Sequence, residues 1–188
     1  INRSMSDLKV NEIKTDTIKN QAGTSAATID STGRILQPAV PAFSATKHDG
    51  SGAAYLTGHI TFDTVTLNRG NCWDGTNKFQ APVAGVYQFN MCGFAAGTSG
   101  GLTNQDYKGY LQKSQQSNFS DVSGSTGHLA QTYAYLGSSI AGYLTITMAA
   151  TVELAANDYV RYYVHAAALY TNTASSRYSP VFSGFLVG

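Results

Sequence analysis

Residues Asn68 to Phe94 read NRGNCWDGTNKFQAPVAGVYQFNMCGF, and this stretch decides the fold class. Asp74-Gly75 marks a tight turn, because both residues tolerate positive φ. Lys78-Phe79-Gln80 then approaches Ala81-Pro82. Proline has no N–H to give a ladder, so a strand must end or bulge there. Gly85 opens a long strand in which Tyr87, Phe89 and Met91 share one face by the period of two. A short strand, a Pro/Gly corner and a second strand are how a chain passes from one sheet of a β-sandwich to the other. The stretch points to a binding or structural protein far more than to an enzyme.

Outward from this stretch, the 188 residues suit one domain with an appendage. A head of about 150 residues buries roughly two thirds of the surface its unfolded chain exposes, enough for a true core. Charged residues make up only 12% of the chain, about half the share in an ordinary soluble domain. A surface so poor in charge is explained if part of it is covered by other subunits. The net charge of +1 supplies no field for nucleic acid or an anionic membrane surface. No apolar run reaches the roughly 20 residues a bilayer span needs. The opening INRSMSDLKVNEIK lacks the apolar centre of a secretory signal, and Met5 reads as a natural start. Two cysteines, Cys72 and Cys92, make no disulfide framework. Cys92 lies in an apolar run and is expected to be a buried free thiol.

Residues 1–37 form a separate segment, and 38–188 the head. The stretch 5–37 has no aromatic residue, and its apolar residues Leu8, Val10, Ile13, Ile18, Ile29, Ile35 and Leu36 are spaced as short strands. Asn20-Gln21-Ala22-Gly23 and Ser31-Thr32-Gly33 break them. So few large side chains cannot build a core alone, so the segment is disordered, intertwines with copies of itself, or docks on a partner. Gln37-Pro38-Ala39-Val40-Pro41 is a proline-stiffened linker.

The head reads as short strands between Gly/Ser/Asn loops, at 42–46, 58–68, 77–80, 85–95, 106–113, 129–137, 142–153, 158–168 and 180–187. Leu144, Ile146 and Met148 alternate with Tyr143, Thr145 and Thr147. Phe182 and Leu186 share one face, and Val181, Phe185 and Val187 take the other. Apolar residues on both faces imply burial on both, one face against the core and one against a neighbouring subunit. Val181, Phe185, Val187, Tyr143 and Thr145 are therefore the expected interface residues. In 158–165, Val160, Tyr162 and Val164 fit a core face and Asp158, Arg161 and His165 a wet one. Tyr87, Tyr110 and Tyr162 fit core faces, whereas Tyr133, Tyr135, Tyr163, Tyr170 and Tyr178 are candidates for exposure.

His48, His59, His128 and His165 stand in no catalytic context. They read as surface or loop histidines. No His/Cys pair has zinc-ligand spacing, and no loop supports a calcium site, although Asp106, Asp121 and Asp158 leave one open. GTSGG at Gly97–Gly101 lacks the Lys-Ser/Thr of a phosphate loop. Only 11 acids exist to furnish the paired carboxylates of a depolymerase. No enzyme, cofactor or metal is expected. Trp73 reads as sandwich filler rather than a sugar platform. Loops 96–105, 114–128 and 169–179 are long and polar, as binding elements are. Tyr170, Arg177 and Tyr178 bracket the last one and are the expected ligand contacts, since Tyr and Arg provide stacking and charge-assisted bonds.

Phe79-x-Ala81-Pro82-x-x-Gly85-x-Tyr87-x-Phe89 resembles the signature of the globular head of complement component 1q, within the tumour-necrosis-factor-like superfamily. Ala42-Phe43-Ser44-Ala45 is similar to that family's first strand, Glu153-Leu154-x-x-x-Asp158-x-Val160 to its penultimate turn, and Ser179 to Leu186 to its closing strand. The four matches lie in family order across residues 40–188. The resemblance implies an all-β jelly-roll sandwich assembled as a homotrimer. Separately, Val10 to Asn20 and Thr28 to Ile35 resemble opening segments of bacteriophage fibre and other virion structural proteins, which precede interchangeable heads. Together these imply a non-enzymatic trimeric fibre or decoration protein of the virion, assembled in the host cytoplasm. Residues 5–37 would attach to other virion proteins and the head would bind a host surface glycan or protein, without nucleic acid or membrane insertion. A secreted bacterial or animal complement-1q-like lectin is the alternative expectation.

Overall fold

The computed structural model describes residues 15–37, 39–48, 53–96, 105–136, 143–172 and 179–187. All regular elements among them are β-strands. The chain divides into two compact units, Ile1–Ala39 and Val40–Gly188.

The first unit is an antiparallel three-stranded sheet of β1 (Thr17–Lys19), β2 (Ser25–Ile29) and β3 (Ile35–Leu36). Its turns fall at the two breaks expected from the sequence. The Asp30 carboxylate accepts from Thr32 N at 2.9 Å, Arg34 N at 3.0 Å and Arg34 Nε at 2.7 Å. Hydrogen bonds from Thr32 first, then Arg34, hold that carboxyl down at about 2. Ile18 pairs with Ala27 and Ile29 with Ile35, so these side chains share a face. Ile18 and Ile35 remain exposed on it.

The second unit is the sandwich. Its strands are β4 (Ala42–Thr46), β5 (Ala53–His59), β6 (Thr64–Arg69), β7 (Phe79–Gln80), β8 (Gly85–Ala96), β9 (Gln105–Ser114), β10 (His128–Leu136), β11 (Leu144–Leu154), β12 (Tyr159–Asn172) and β13 (Val181–Leu186). Antiparallel pairing puts β6, β4, β13, β8 and β11 side by side in one layer. In the other layer β12 lies beside β9, β9 beside β10, and β5 and β7 pair along β12. The layers join where Ala168–Tyr170 of β12 pairs with Phe94–Ala96 of β8. Just before this junction the register shifts, and Ala167 adopts a φ of 54°. Such a bulge bends a strand and increases its twist, which carries β12 from one layer to the other.

The Pro82 corner does what its sequence suggests. Phe79 of β7 pairs with Val160 in the second layer, while β8 resumes in the first. The Asp74 carboxylate accepts from the N–H groups of Thr76 (2.8 Å), Asn77 (2.9 Å) and Lys78 (3.2 Å). This Asx turn brings Trp73 opposite Phe79. Trp73 is buried and stacks on Phe43 with centroids 4.8 Å apart. Phe182 meets both rings edge-on, at 5.8 and 5.1 Å. Tyr87, Phe89, Met91, Val160, Tyr162 and Val164 all point into the same core. Each fully buried large side chain contributes about 1.5–3 kcal/mol. Gly184 must lack a side chain, because a Cβ there would stand 2.7 Å from Phe89 and 2.8 Å from Phe43.

Several expectations are corrected. The single strand at 58–68 is two, β5 and β6, separated by a non-strand link in which Ile60 and Phe62 plug the core. Apolar periodicity continues through the link, which hides the break from sequence. Cys92 is exposed and Cys72 is the buried thiol, because Cys92 has the opposite parity to Met91 in β8. Asp158 is buried rather than wet: it receives Lys113 Nζ at 2.6 Å and Ala155 N at 2.8 Å. Tyr107, not Tyr110, fills the core from β9. The loop expected from 169 begins later, since β12 continues to Asn172.

Candidate functional site

Two surfaces of the sandwich have the chemistry of recognition. The first is the outer face of the β6-β4-β13-β8-β11 layer. Cross-strand register sets its side chains in rows: Thr147, Cys92, Val181 and Thr46; then Ala149, Asn90, Ser183 and Ser44; then Thr151, Gln88, Phe185 and Ala42. None of these twelve is charged. Phe185 and Val187 are 45% and 59% exposed, and Val181 is half-buried. Thr145 is exposed on the same face of β11. Thus Val181, Phe185, Val187 and Thr145 sit where the alternation of their strands put them. Charge stands at the margin of these rows, at Arg69 opposite Ala42 and Glu153 opposite Val86; the rows between, with large apolar side chains in the open, have the composition of an interface centre.

Tyr143 borders this face and stacks on Tyr170, their centroids 3.9 Å apart, while Tyr55 lies 5.3 Å from Tyr170. The hydrogen bond with Tyr170 first, and burial second, push the Tyr143 hydroxyl above its ordinary pKa. Tyr170 is only 3% exposed, so it is not a side chain at a free loop tip. That correction has a simple cause: Tyr170 is still within β12, opposite Tyr55 and Phe94. Arg177 and Tyr178 lie outside the described residues, as do most of the loops at 96–105 and 169–179.

The second surface is a cavity of about 460 Å³ on the outer face of the β12-β9-β10 layer. Its floor is two cross-strand rows, Arg161–Gln112–His128 and Tyr163–Tyr110–Gln131, with His165 beside them. Residues 115–127 form the wall, contributing Val122, Gly124 and Ser125. Ser114 Oγ donates to the Asp121 carboxylate, which also accepts from Gln115 N at 3.0 Å, so this loop is anchored at its start. Phe119 is buried at a φ of 59°, unusual for a bulky residue, and its ring lies 4.0 Å beneath the Arg161 guanidinium.

Hydrogen bonding fixes the polar floor. Arg161 Nε donates to Gln112 Oε1 at 2.9 Å, which turns the Gln112 amide nitrogen toward His128 Nε2, 3.2 Å away. Because that nitrogen only donates, His128 Nε2 must accept, and the ring is neutral with its proton on Nδ1. Burial first, and the nearby His165 second, lower the His128 pKa in keeping with this arrangement. The His128 ring stacks on Tyr110 at 4.2 Å. Burial also lowers the Arg161 pKa, but a guanidinium remains charged. Lys47, Lys78, Lys108 and Lys113 each have an aspartate within 4 Å. Among the described residues, no carboxylate pairs with half-buried Arg161, and none lines the cavity.

Sequence reading put Arg161 and His165 on a wet face of β12 but did not bring them to Gln112 and His128. The available signal was the period-two run Arg161, Tyr163, His165; its cross-strand neighbours depend on register. Among the described residues, no three His, Cys, Asp or Glu side chains gather as a metal-ligating group.

Comparison with known proteins agrees with this architecture. No curated protein sequence matches the chain. Among solved structures, the globular domain of zebrafish complement 1qA superposes with a TM-score of 0.53 at 20% identity, covering 79% of this chain and 98% of that one. Eiger TNF from S. frugiperda gives 0.56 at 13% identity, covering 79% and 93%. Murine APRIL gives 0.54 at 11% identity, covering 78% and 99%. These likenesses establish a jelly-roll sandwich shared with complement-1q-like and tumour-necrosis-factor-like domains. The C1q domain pattern matches residues 42–187, from the first strand of the sandwich to its last, and the chain belongs to the C1q domain family.

Proposed function

We propose that this protein is a homotrimeric, non-enzymatic binding module of a bacteriophage virion, a fibre or decoration protein whose head binds a host surface glycan or protein. The observation that carries the trimer is the set of uncharged rows across β4, β13, β8 and β11 on the outer face of their layer, with Phe185 and Val187 open to water. An obligate interface buries about 2,000 Å² or more and resembles a divided core, and this face is composed like one. Membership of the C1q domain family supports a binding role. Among the described residues, no carboxylate lines the cavity on the opposite layer to orient His128 as a general base, which favours binding over hydrolysis. The unit at 1–39 supports attachment to other virion proteins, because its small sheet leaves Ile18 and Ile35 uncovered. Three heads per fibre strengthen weak contacts through effective concentration.

Sedimentation equilibrium of the full chain at micromolar concentration tests the assembly. The expected mass is three times 19.9 kDa, and a folded monomer overturns it. Immunogold labelling of intact phage particles tests the location, and particles that lack the protein overturn the virion reading.

A further inference from the structure

We propose that the cavity over β12, β9 and β10 is a binding site for a carboxylate-bearing sugar, whose carboxylate is received by Arg161. The inference rests on the reading of the head as a glycan-binding module and names the class of glycan and the site that takes it.

Arg161 is half-buried, held from below by Phe119 at 4.0 Å and from the side by Gln112 at 2.9 Å. Its position is fixed before any ligand arrives, so little side-chain freedom is lost on binding. Nε is occupied by Gln112, which leaves the two terminal nitrogens for an acceptor. A partly desolvated guanidinium without a counter-charge favours an anion, and two parallel N–H donors match a carboxylate. One guanidinium suits a single negative charge. Lys113 and Lys108, the nearest lysines on β9, are engaged by Asp158 and Asp106, so the site is not built for a polyphosphate or nucleic acid.

The remaining lining argues for a sugar around that carboxylate. Gln131, Ser125, His165 and the Tyr163 hydroxyl offer both donors and acceptors, the mixture that a ring of hydroxyls requires. Tyr110 and Tyr163 add aromatic surface for the C–H face of a pyranose. About 460 Å³ lies within the range of small-molecule sites. The outer face of the opposite layer, where Phe185 stands, is free to assemble while this cavity stays open to solvent.

Saturation-transfer NMR on the full-length protein tests the inference, with glucuronic acid and N-acetylneuraminic acid as probes at millimolar concentration. Their neutral methyl esters and free acetate serve as comparisons. Both acids are expected to bind and the esters to bind far more weakly. Arg161→Gln is expected to weaken the acids roughly 10- to 100-fold, the loss of a charge-assisted pair. Gln131→Glu, at an exposed position of the cavity lining, is expected to weaken them by setting a second carboxylate against the ligand's own. Absence of binding by either acid, esters binding as well as acids, or unchanged affinity in folded Gln131→Glu overturns the proposal. Acetate competing as well as the sugars overturns its sugar part. Sedimentation of the same samples separates the two readings: a monomer that binds the acids overturns only the trimer, and a trimer that binds none overturns only the sugar site.

Discussion

The hydroxyls of Tyr107 and Tyr162 meet 2.7 Å apart in the middle of the sandwich, each ring fully buried. Burial pushes both pKa values far above the ordinary tyrosine range. The pair is satisfied only by itself: each supplies the other's partner in a place water does not reach. Gly109 makes the approach possible, since a Cβ there would lie 2.0 Å from the Tyr162 hydroxyl.

Removing one hydroxyl is therefore expected to cost more than removing both. Tyr107→Phe or Tyr162→Phe strands a buried polar group and should lower stability by about 1–3 kcal/mol. The double variant should recover most of that loss. Urea denaturation of the four proteins in the cycle checks this, and additive losses would show that the pair is not coupled.

Phe185 and Val187 are exposed in the single chain, so Phe185→Asp or Val187→Asp should leave the fold of a head intact while disrupting its assembly. In a trimer each substitution buries an unpaired charge in every subunit. Sedimentation is expected to show dissociation or aggregation, with the far-ultraviolet β spectrum retained. Unchanged trimers would place the interface elsewhere.

The ion pair of Lys113 and Asp158 is asymmetric. The Asp158 side chain is 3% exposed and that of Lys113 is 29% exposed. Losing the aspartate lets Lys113 turn to water, whereas losing the lysine leaves a buried carboxylate with only the Ala155 N–H to satisfy it. Asp158→Asn should cost about 1–3 kcal/mol and Lys113→Met about 3–5 kcal/mol. Equal losses in chemical denaturation would contradict this account.

Acid should destabilise the head through His128. Its folded pKa is lowered by burial and by His165, so the unfolded chain takes up the proton first. The sign follows from linkage: the group is neutral in both states well above about pH 6.5, and stability falls as pH drops through that value. Protonation also ends the ability of Nε2 to accept from Gln112. His128→Gln should flatten the pH dependence of the melting temperature between neutral and mildly acidic buffer. A variant whose pH profile parallels the parent would assign the effect to other groups.

Much of the core was legible because it obeys local rules. Tyr87, Phe89 and Met91 alternate inward along β8, and Val160, Tyr162 and Val164 along β12. The Asp74-Gly75 turn and Pro82 corner announce themselves by backbone chemistry. The outward set Val181, Phe185 and Val187 was legible for the same reason, since parity along one strand needs no knowledge of its neighbours. Misreadings arose where local rules are silent. Ile60 and Phe62 continue an apolar pattern through a link that is not strand, and Asp158 is buried because a lysine from another strand reaches it.

The sequence by itself therefore determined a two-layer β-sandwich, the inward alternation of Tyr87, Phe89 and Met91 and of Val160, Tyr162 and Val164, and the outward set Val181, Phe185 and Val187. Those properties are encoded within a few residues by the period of two and by turn chemistry. Only tertiary structure decided that Arg161, Gln112 and His128 form one row beneath the loop carrying Phe119. Cross-strand register is fixed by the packing of the whole core and by the bulges between His128 and Ala130 and near Ala167. A shift of one residue would turn every side chain of a strand to its other face. Residues up to 49 positions apart become neighbours through that register, so the cavity is a property of the packed sheet rather than of any segment in the chain.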